Sequence, residues 1–285
     1  MKRLVCALAL LLGACGAAPE PASPALWEVT SPGGGTGWLM GTIHALERPA
    51  AWQGPKVAQA LAAADTIVTE LGPGEDAAAN ARVLADMSRS PGLPPLSERV
   101  PDDLRPALRA QLDRAGTSEA ALAETETWAV ALILARAASP PGGGEYGIDR
   151  AVLAARGQRP VVVLEGAQAQ LSLFDRLPEA EQRDLLAIAL RDAGKAESEA
   201  RALAEAWRKG DMGRIEGATR EGLLADPELR EVLFTARNRA WSGRIAGLLK
   251  QGKRPFVAVG AAHMAGPDGL PALLAAQGLA VRRVQ

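Results

Sequence analysis

Two apolar runs near opposite ends of this chain finish in the same four-residue frame. Trp38-Leu39-Met40 leads into Gly41-Thr42-Ile43-His44, and Pro255-Phe256-Val257-Ala258-Val259 leads into Gly260-Ala261-Ala262-His263. Each run reads as a buried β-strand. The two histidines are the only ones in the sequence, and their matched strand ends predict one shared site. A glycine three residues before each histidine permits tight backbone approach where a strand meets a loop. Neutral imidazole is both a common metal ligand and a common general base.

The remaining periodicity predicts an α/β fold with a central mixed sheet. Leu26 to Thr30 and Gly37 to Ile43 form a hairpin around the turn Ser31-Pro32-Gly33-Gly34-Gly35. No Lys-Ser/Thr follows those glycines, which argues against a phosphate loop. A helix over Lys56 to Ala64 leads to a buried strand, Asp65 to Leu71, with Glu70 near its end. A largely helical insertion runs from Glu75 to Ala138, broken at Ser90 to Pro95 and at Gly116. After a loop at Pro140 to Gly144, Tyr146-Gly147-Ile148-Asp149 opens a helix that Gly157 ends. Pro160 to Glu165 is another strand ending in an acid, and Gln168 to Leu249 is helical again. The chain closes on strand, helix, strand: Phe256 to Val259, Leu270 to Gln277, Leu279 to Val284.

The first residues read as an export signal. Met1-Lys2-Arg3 is basic, and the apolar stretch Leu4 to Leu12 is too short for a stable membrane span. Leu12-Gly13-Ala14-Cys15 resembles a bacterial lipobox, which implies cleavage of residues 1–14 and lipidation of Cys15. The acyl chains would tie the protein to a membrane. By resemblance to enterobacterial lipoprotein sorting, Gly16 in place of an Asp implies the periplasmic face of the outer membrane. Residues 15–24 are then the lipidated cysteine and a proline-rich tether, extended and mobile. The expected domain is residues 25–285. With Cys6 lost in the signal, no intrachain disulfide can form. Lys and Arg number 32 against 33 Asp and Glu, with no basic stripe of interleaved aromatics, so nucleic acid is not an expected partner.

In open α/β sheets ligands bind outside the carboxyl ends of the strands. His44, Glu70, Glu165 and His263 all fall at or just past such ends. Two imidazoles and two carboxylates suit a divalent metal such as zinc, manganese or cobalt. Such an ion lowers the pKa of bound water, and a carboxylate can take the proton. Asp149 is either a further ligand or a helix-capping residue. Tyr146, the only tyrosine, is either an oxyanion donor or a packing residue. No Gly-x-Ser-x-Gly elbow is present.

These residues resemble the TraB/GumN family, which is related to the Tiki metalloproteases and more remotely to ChaN-like and erythromycin-esterase-like folds. The matching pieces are Leu26-Trp27-Glu28-Val29, Trp38 to His44, Val68-Thr69-Glu70, Gly147-Ile148-Asp149, and Leu164-Glu165 with Gln168 or Gln170. They continue with Trp207, Gly210-Asp211, Arg237-Asn238-Arg239 with Trp241, Gly260 to His263 with Gly266, and Gly278 to Val281. The resemblance implies metal-dependent hydrolysis centred on His44, Glu70 and His263, with Glu70 a ligand or a general base. It also draws Arg237 and Asn238 into the site. Arg237 could bind a substrate carboxylate or neutralise the acids, and Asn238 could donate to an oxyanion.

Two functions follow as expectations. One is a lipid-anchored, metal-dependent hydrolase of the cell envelope, acting on a peptide or protein. The other is a non-catalytic envelope lipoprotein that binds haem or another metal ligand; a Soret band on the purified protein would separate the two.

Overall fold

The computed structural model describes residues 18–139 and 145–285. The export signal, Cys15 and the loop at 140–144 lie outside the described residues. The first half of the chain forms β1 (Glu20–Pro21), β2 (Leu26–Thr30), β3 (Thr36–Thr42), β4 (Ala50–Ala51), α1 (Pro55–Ala63), β5 (Thr66–Thr69), α2 (Ala77–Met87), α3 (Arg105–Arg114) and α4 (Thr127–Ala138). The second half forms α5 (Ile148–Ala154), β6 (Val161–Val163), α6 (Ala167–Asp175), α7 (Glu179–Asp192), α8 (Ala196–Lys209), α9 (Met212–Ala218), α10 (Pro227–Arg230), α11 (Ala236–Lys250), β7 (Pro255–Gly260), α12 (Leu270–Ala276) and β8 (Ala280–Arg283).

The fold is α/β, as the periodicity predicts. Its six-stranded sheet has the order β6-β5-β7-β3-β2-β8. The run β6, β5, β7, β3 is parallel, while β2 lies antiparallel to both β3 and β8. The glycine-rich turn closes the β2–β3 hairpin, with Gly34 N–H donating to Ser31 O. Parallel strands are covered on both faces and read as continuous apolar runs. Accordingly Thr66 to Thr69, and Pro255 to Val259, are buried at every position.

Each face of the sheet has its own core. On one side Leu26, Met40, Ile67 and Phe256 pack against Val57 and Leu61 of α1, Ile148 and Val152 of α5, and Trp207 of α8. On the other Trp27, Leu39, Val68 and Val257 pack against Trp241, Ile245 and Leu249 of α11 and Leu270 of α12. The helical insertion after β5 builds a third core, Leu104, Leu108, Trp128 and Leu134, which Leu186 and Leu190 of α7 complete. Arg99 is buried within the insertion. It donates to the carbonyls of Pro94, Ala123 and Thr125, so its charge sits among satisfied donors.

The tether reading needs correction from residue 20 onward. Glu20–Pro21 pairs in parallel with Ala50–Ala51. Glu20 also forms ion pairs with Arg48 and Arg208, and Ser23 N–H donates to the Arg208 carbonyl. The segment is extended, but it is docked on the domain by backbone pairing and charge. Among the described residues, no helix is long and apolar enough to cross a membrane.

Candidate active site

The carboxyl ends of β3, β5, β6 and β7 meet at one edge of the sheet, with β7 between β3 and β5. His44 follows β3 by two residues, Glu70 follows β5 by one, and Glu165 follows β6 by two. His263 sits in a 3₁₀ turn, Ala261–Met264, directly after β7. His44, Glu70 and His263 line one cleft of about 340 Å³, together with the polar Arg237 and Gln170 and the apolar Leu203, Trp207 and Ile215.

Two glycines make this convergence possible. Gly41 stands where a Cβ would lie 2.8 Å from the Ala261 Cα, so β3 and the turn after β7 touch backbone to backbone. A Cβ on Gly260 would lie 3.3 Å from Glu70 Oε1, 3.6 Å from His263 Cδ2 and 3.8 Å from His44 Nε2. The three groups therefore surround one glycine. Trp207 Nε1–H donates to the Gly41 carbonyl across 2.8 Å and fixes α8 against the first frame.

Each imidazole is held through Nδ1. His44 Nδ1 lies 2.8 Å from Asp149 Oδ2, and Thr42 donates its hydroxyl to the other Asp149 oxygen. Thr42, Asp149 and His44 thus form a chain running out of β3 and α5. The hydrogen bond to Asp149 is the main cause that pushes the His44 pKa up to about 9. The His44 side chain is 67% exposed, so its Nε2 edge is open to the cleft.

His263 is the opposite case. Its Nδ1 lies 2.6 Å from Asn238 Oδ1, while Asn238 Nδ2–H donates to the Asp268 carbonyl across 2.7 Å. A carbonyl only accepts, which fixes the amide orientation and makes His263 the Nδ1–H tautomer. Burial pulls its pKa down to about 4. Trp241 and Phe234 close on the ring, with centroids 4.5 Å and 5.4 Å away. A neutral imidazole with its lone pair on Nε2 results.

Arg237 joins the acids. Its Nε donates to both Glu165 oxygens, at 2.9 Å and 3.2 Å, and its Nη2 reaches Glu165 Oε2 at 3.0 Å and Glu70 Oε2 at 3.2 Å. Its Nη1 lies 3.5 Å from His263 Nε2. Glu70 Oε1 accepts the Gly260 N–H at 2.6 Å, and Gln170 Nε2 stands 3.5 Å from Glu70 Oε2.

Residues 25–283 match the profile of the TraB/PrgY/gumN family along nearly the whole described domain. The chain belongs to this family. Within the TraB/PrgY/gumN family it is similar to two curated relatives, both called uncharacterized protein YbaP, from Shigella flexneri and from Escherichia coli (strain K12). Each is 27% identical over 255 residues, covering 87% of this chain and 90% of the relative. No solved structure matches the chain.

The geometry sorts the residues that the sequence nominated for a site. His44, Glu70, His263, Arg237 and Asn238 converge, and of the two candidate glutamines Gln170 is the one that reaches Glu70. Glu165 is present and its backbone N–H donates to the Glu70 carbonyl, but its carboxylate is bound by Arg237. Asn238 is neither on the helix surface nor aimed at an oxyanion: it is fully buried and holds His263. Asp149 does not cap α5, whose N-cap is Gly147 without a side-chain bond; it holds His44 instead. Tyr146 lines a different cavity, beside Trp52 and Arg150. The pairings of Asp149 and Asn238 escaped the sequence, although the family-like pieces Gly147-Ile148-Asp149 and Arg237-Asn238-Arg239 contained the signal.

The donor set has the chemistry of a divalent metal site in part. Both imidazoles have Nδ1 anchored by an oxygen and Nε2 directed to the cleft, the arrangement that orients metal-binding histidines. Among the described residues, however, no three or more His, Cys, Asp or Glu side chains are grouped so as to hold a metal ion. The Arg237 guanidinium stands among these donors.

Proposed function

We propose that the cleft is the active site of a metal-dependent hydrolase acting on peptide bonds. One observation carries the reading: the two Gly-x-x-His frames deliver two imidazoles to one cleft, each anchored through Nδ1, beside the Glu70 carboxylate. On this reading His44, once deprotonated, and His263, with Glu70, would hold a manganese, cobalt or zinc ion, and they would have to draw together to do so, since as they stand no three such side chains are grouped around one point. When bound, such an ion supplies Lewis acidity and a water of lowered pKa.

The residues themselves have defined parts. Asp149 keeps the His44 ring turned toward the cleft, and Asn238 does the same for His263. Glu70, oriented by the Gly260 N–H, is a ligand or the group that takes a proton from water. Trp207, Leu203 and Ile215, which also line the cleft, would face an apolar part of the substrate. A screen of peptide hydrolysis with added Mn²⁺, Co²⁺ or Zn²⁺ tests the reading. Activity should vanish with a chelator, return with metal, and be lost in Glu70→Gln.

The hold of Asp149 on His44 favours a second reading, in which protonated His44 acts from Nε2 as a general acid without metal. Hydrolysis indifferent to chelator but lost in His44→Gln would select it.

The same proposal places the protein in the cell envelope, anchored by lipid on Cys15, at the periplasmic face of the outer membrane. The support is the Leu12-Gly13-Ala14-Cys15 sequence and the apolar stretch before it. Mass spectrometry of the mature protein should find a diacylated or triacylated Cys15 at the amino terminus. A mature terminus elsewhere would refute the anchor.

A further inference from the structure

Residues 20–23 touch two segments that both help to line the candidate cleft. One is the stretch after β3, which carries His44 and ends in β4; the other is α8, which carries Leu203 and Trp207. The Glu20 N–H donates to the Pro49 carbonyl across 2.8 Å, and Glu20–Pro21 pairs with Ala50–Ala51. The Ser23 N–H donates to the Arg208 carbonyl across 2.7 Å. The Glu20 carboxylate joins both segments by itself, through ion pairs with Arg48 and Arg208. We propose that residues 20–23 are a strap that ties the His44 segment to α8 and holds this part of the cleft lining in register. The amino terminus of the domain is thereby coupled to the cleft.

The two segments need such a link. Near the cleft they are joined by the bond from Trp207 Nε1–H to the Gly41 carbonyl. Beyond it, residues of both segments line a second cavity of about 450 Å³, among them Leu46, Arg48, Ala200, Ala204 and Arg208, together with Glu20 of the strap. Side chains that face a cavity do not pack against each other across it. The ion pair between Glu47 and Arg201 also joins the two segments, but its side chains are 49% and 60% exposed, and an exposed pair of this kind contributes little. The backbone bonds of the strap supply a firmer connection.

The sequence suits the strap to this part. Pro19, Pro21 and Pro24 restrict the chain to extended conformations, which reduces the entropy lost when it docks. Ala22 packs on the core that contains Leu46 and Trp207. Gly210 ends α8 in the left-handed region, at φ +65°, and a Cβ there would lie 2.9 Å from the Ser23 carbonyl oxygen. Glycine is thus required both by the helix end and by the close approach of the strap.

Hydrogen exchange of the full chain, followed by mass spectrometry, tests the strap and needs neither substrate nor metal, so its outcome is separate from that of the hydrolase reading. In Glu20→Pro/Ser23→Pro both strap donors are gone, since proline has no N–H. Glu20→Gln keeps them and loses only the ion pairs. The double variant should exchange the amides of residues 44–51 and 203–210 at least about fivefold faster than wild type, the size expected from losing backbone hydrogen bonds. Glu20→Gln should shift the same amides in the same direction by less. β7 and α11 should keep wild-type protection, and of the two imidazoles only that of His44 should shift in NMR spectra. Acceleration confined to residues 18–24 would overturn the strap, and so would equal acceleration in β7 and α11. If the double variant does not fold, Glu20→Gln decides: unchanged exchange at residues 44–51 and 203–210 would overturn the proposal.

Discussion

His263 Nδ1 and Asn238 Oδ1 stand 2.6 Å apart in a pocket closed by Trp241 and Phe234. The contact links the turn after β7 to α11 and fixes which imidazole nitrogen carries the proton. The same asparagine is tied to the Asp268 carbonyl, so the orientation of the ring depends on one rigid amide.

Asn238→Ala should therefore release the ring. Nitrogen-15 NMR of the histidines should show a single Nδ1–H tautomer for His263 in wild type and a mixture in the variant. Metal affinity should fall by roughly 10- to 100-fold, the usual loss when the partner of a ligand is removed. Leaving buried polar groups unpaired should also lower stability by about 1–3 kcal/mol. An unchanged tautomer would show that the stacked Phe234 and the tilted Trp241 hold His263 unaided.

The two histidines should give stability opposite slopes with pH. His263 resists protonation in the fold down to about pH 4, whereas the unfolded chain takes up the proton near 6.5. Between those values the unfolded state binds more protons, so stability falls as pH drops, by on the order of 3 kcal/mol in all. His44 is protonated in the fold up to about pH 9. Its contribution is complete below about 6.5 and is lost as pH rises through 9. Denaturant unfolding across pH should show a maximum between the two limbs. His263→Gln should flatten the acid limb and His44→Gln the alkaline one. Limbs that persist unchanged in these variants would assign the slopes to other groups.

Gly41→Ala should disturb the site from outside it. The added carbon would lie 2.8 Å from the Ala261 Cα, and that backbone carries the turn to His263. Overpacking of this kind costs about 1–3 kcal/mol, which lowers Tm by roughly 2–12 °C in a domain of this size. Metal affinity should fall with it, because the two histidine frames are pushed apart. A variant with wild-type Tm would mean that the turn yields freely.

Much of this geometry was legible in the sequence because it depends on local signals. The Val- and Ile-rich runs ending at Thr69, Val163 and Gly260 are each bounded by a turn residue, and their period and length identify buried parallel strands. Once those strands share a sheet, His44, Glu70, Glu165 and His263 must fall on one edge. What remained hidden depends on side-chain direction. Nothing near Asp149 distinguishes a helix cap from a partner for His44, since both use a carboxylate in the first turn of α5. Asn238 follows Arg237 directly, yet Arg237 binds two acids and approaches the Nε2 edge of His263, while Asn238 holds its Nδ1 edge. The docking of Glu20–Pro21 was also hidden, because proline-rich composition favours an extended chain whether or not it has a partner.

The most direct test of the central claim is a metal titration of the folded domain followed by thermal unfolding. A cation that binds only the native state raises Tm by mass action. Mn²⁺, Co²⁺ or Zn²⁺ should raise the Tm of wild type in a concentration-dependent way. His44→Ala and His263→Ala should each keep the fold and lose most of that rise. Equal behaviour of wild type and both variants with every ion would contradict the claim, and the two histidines would then be structural residues at the ends of β3 and β7.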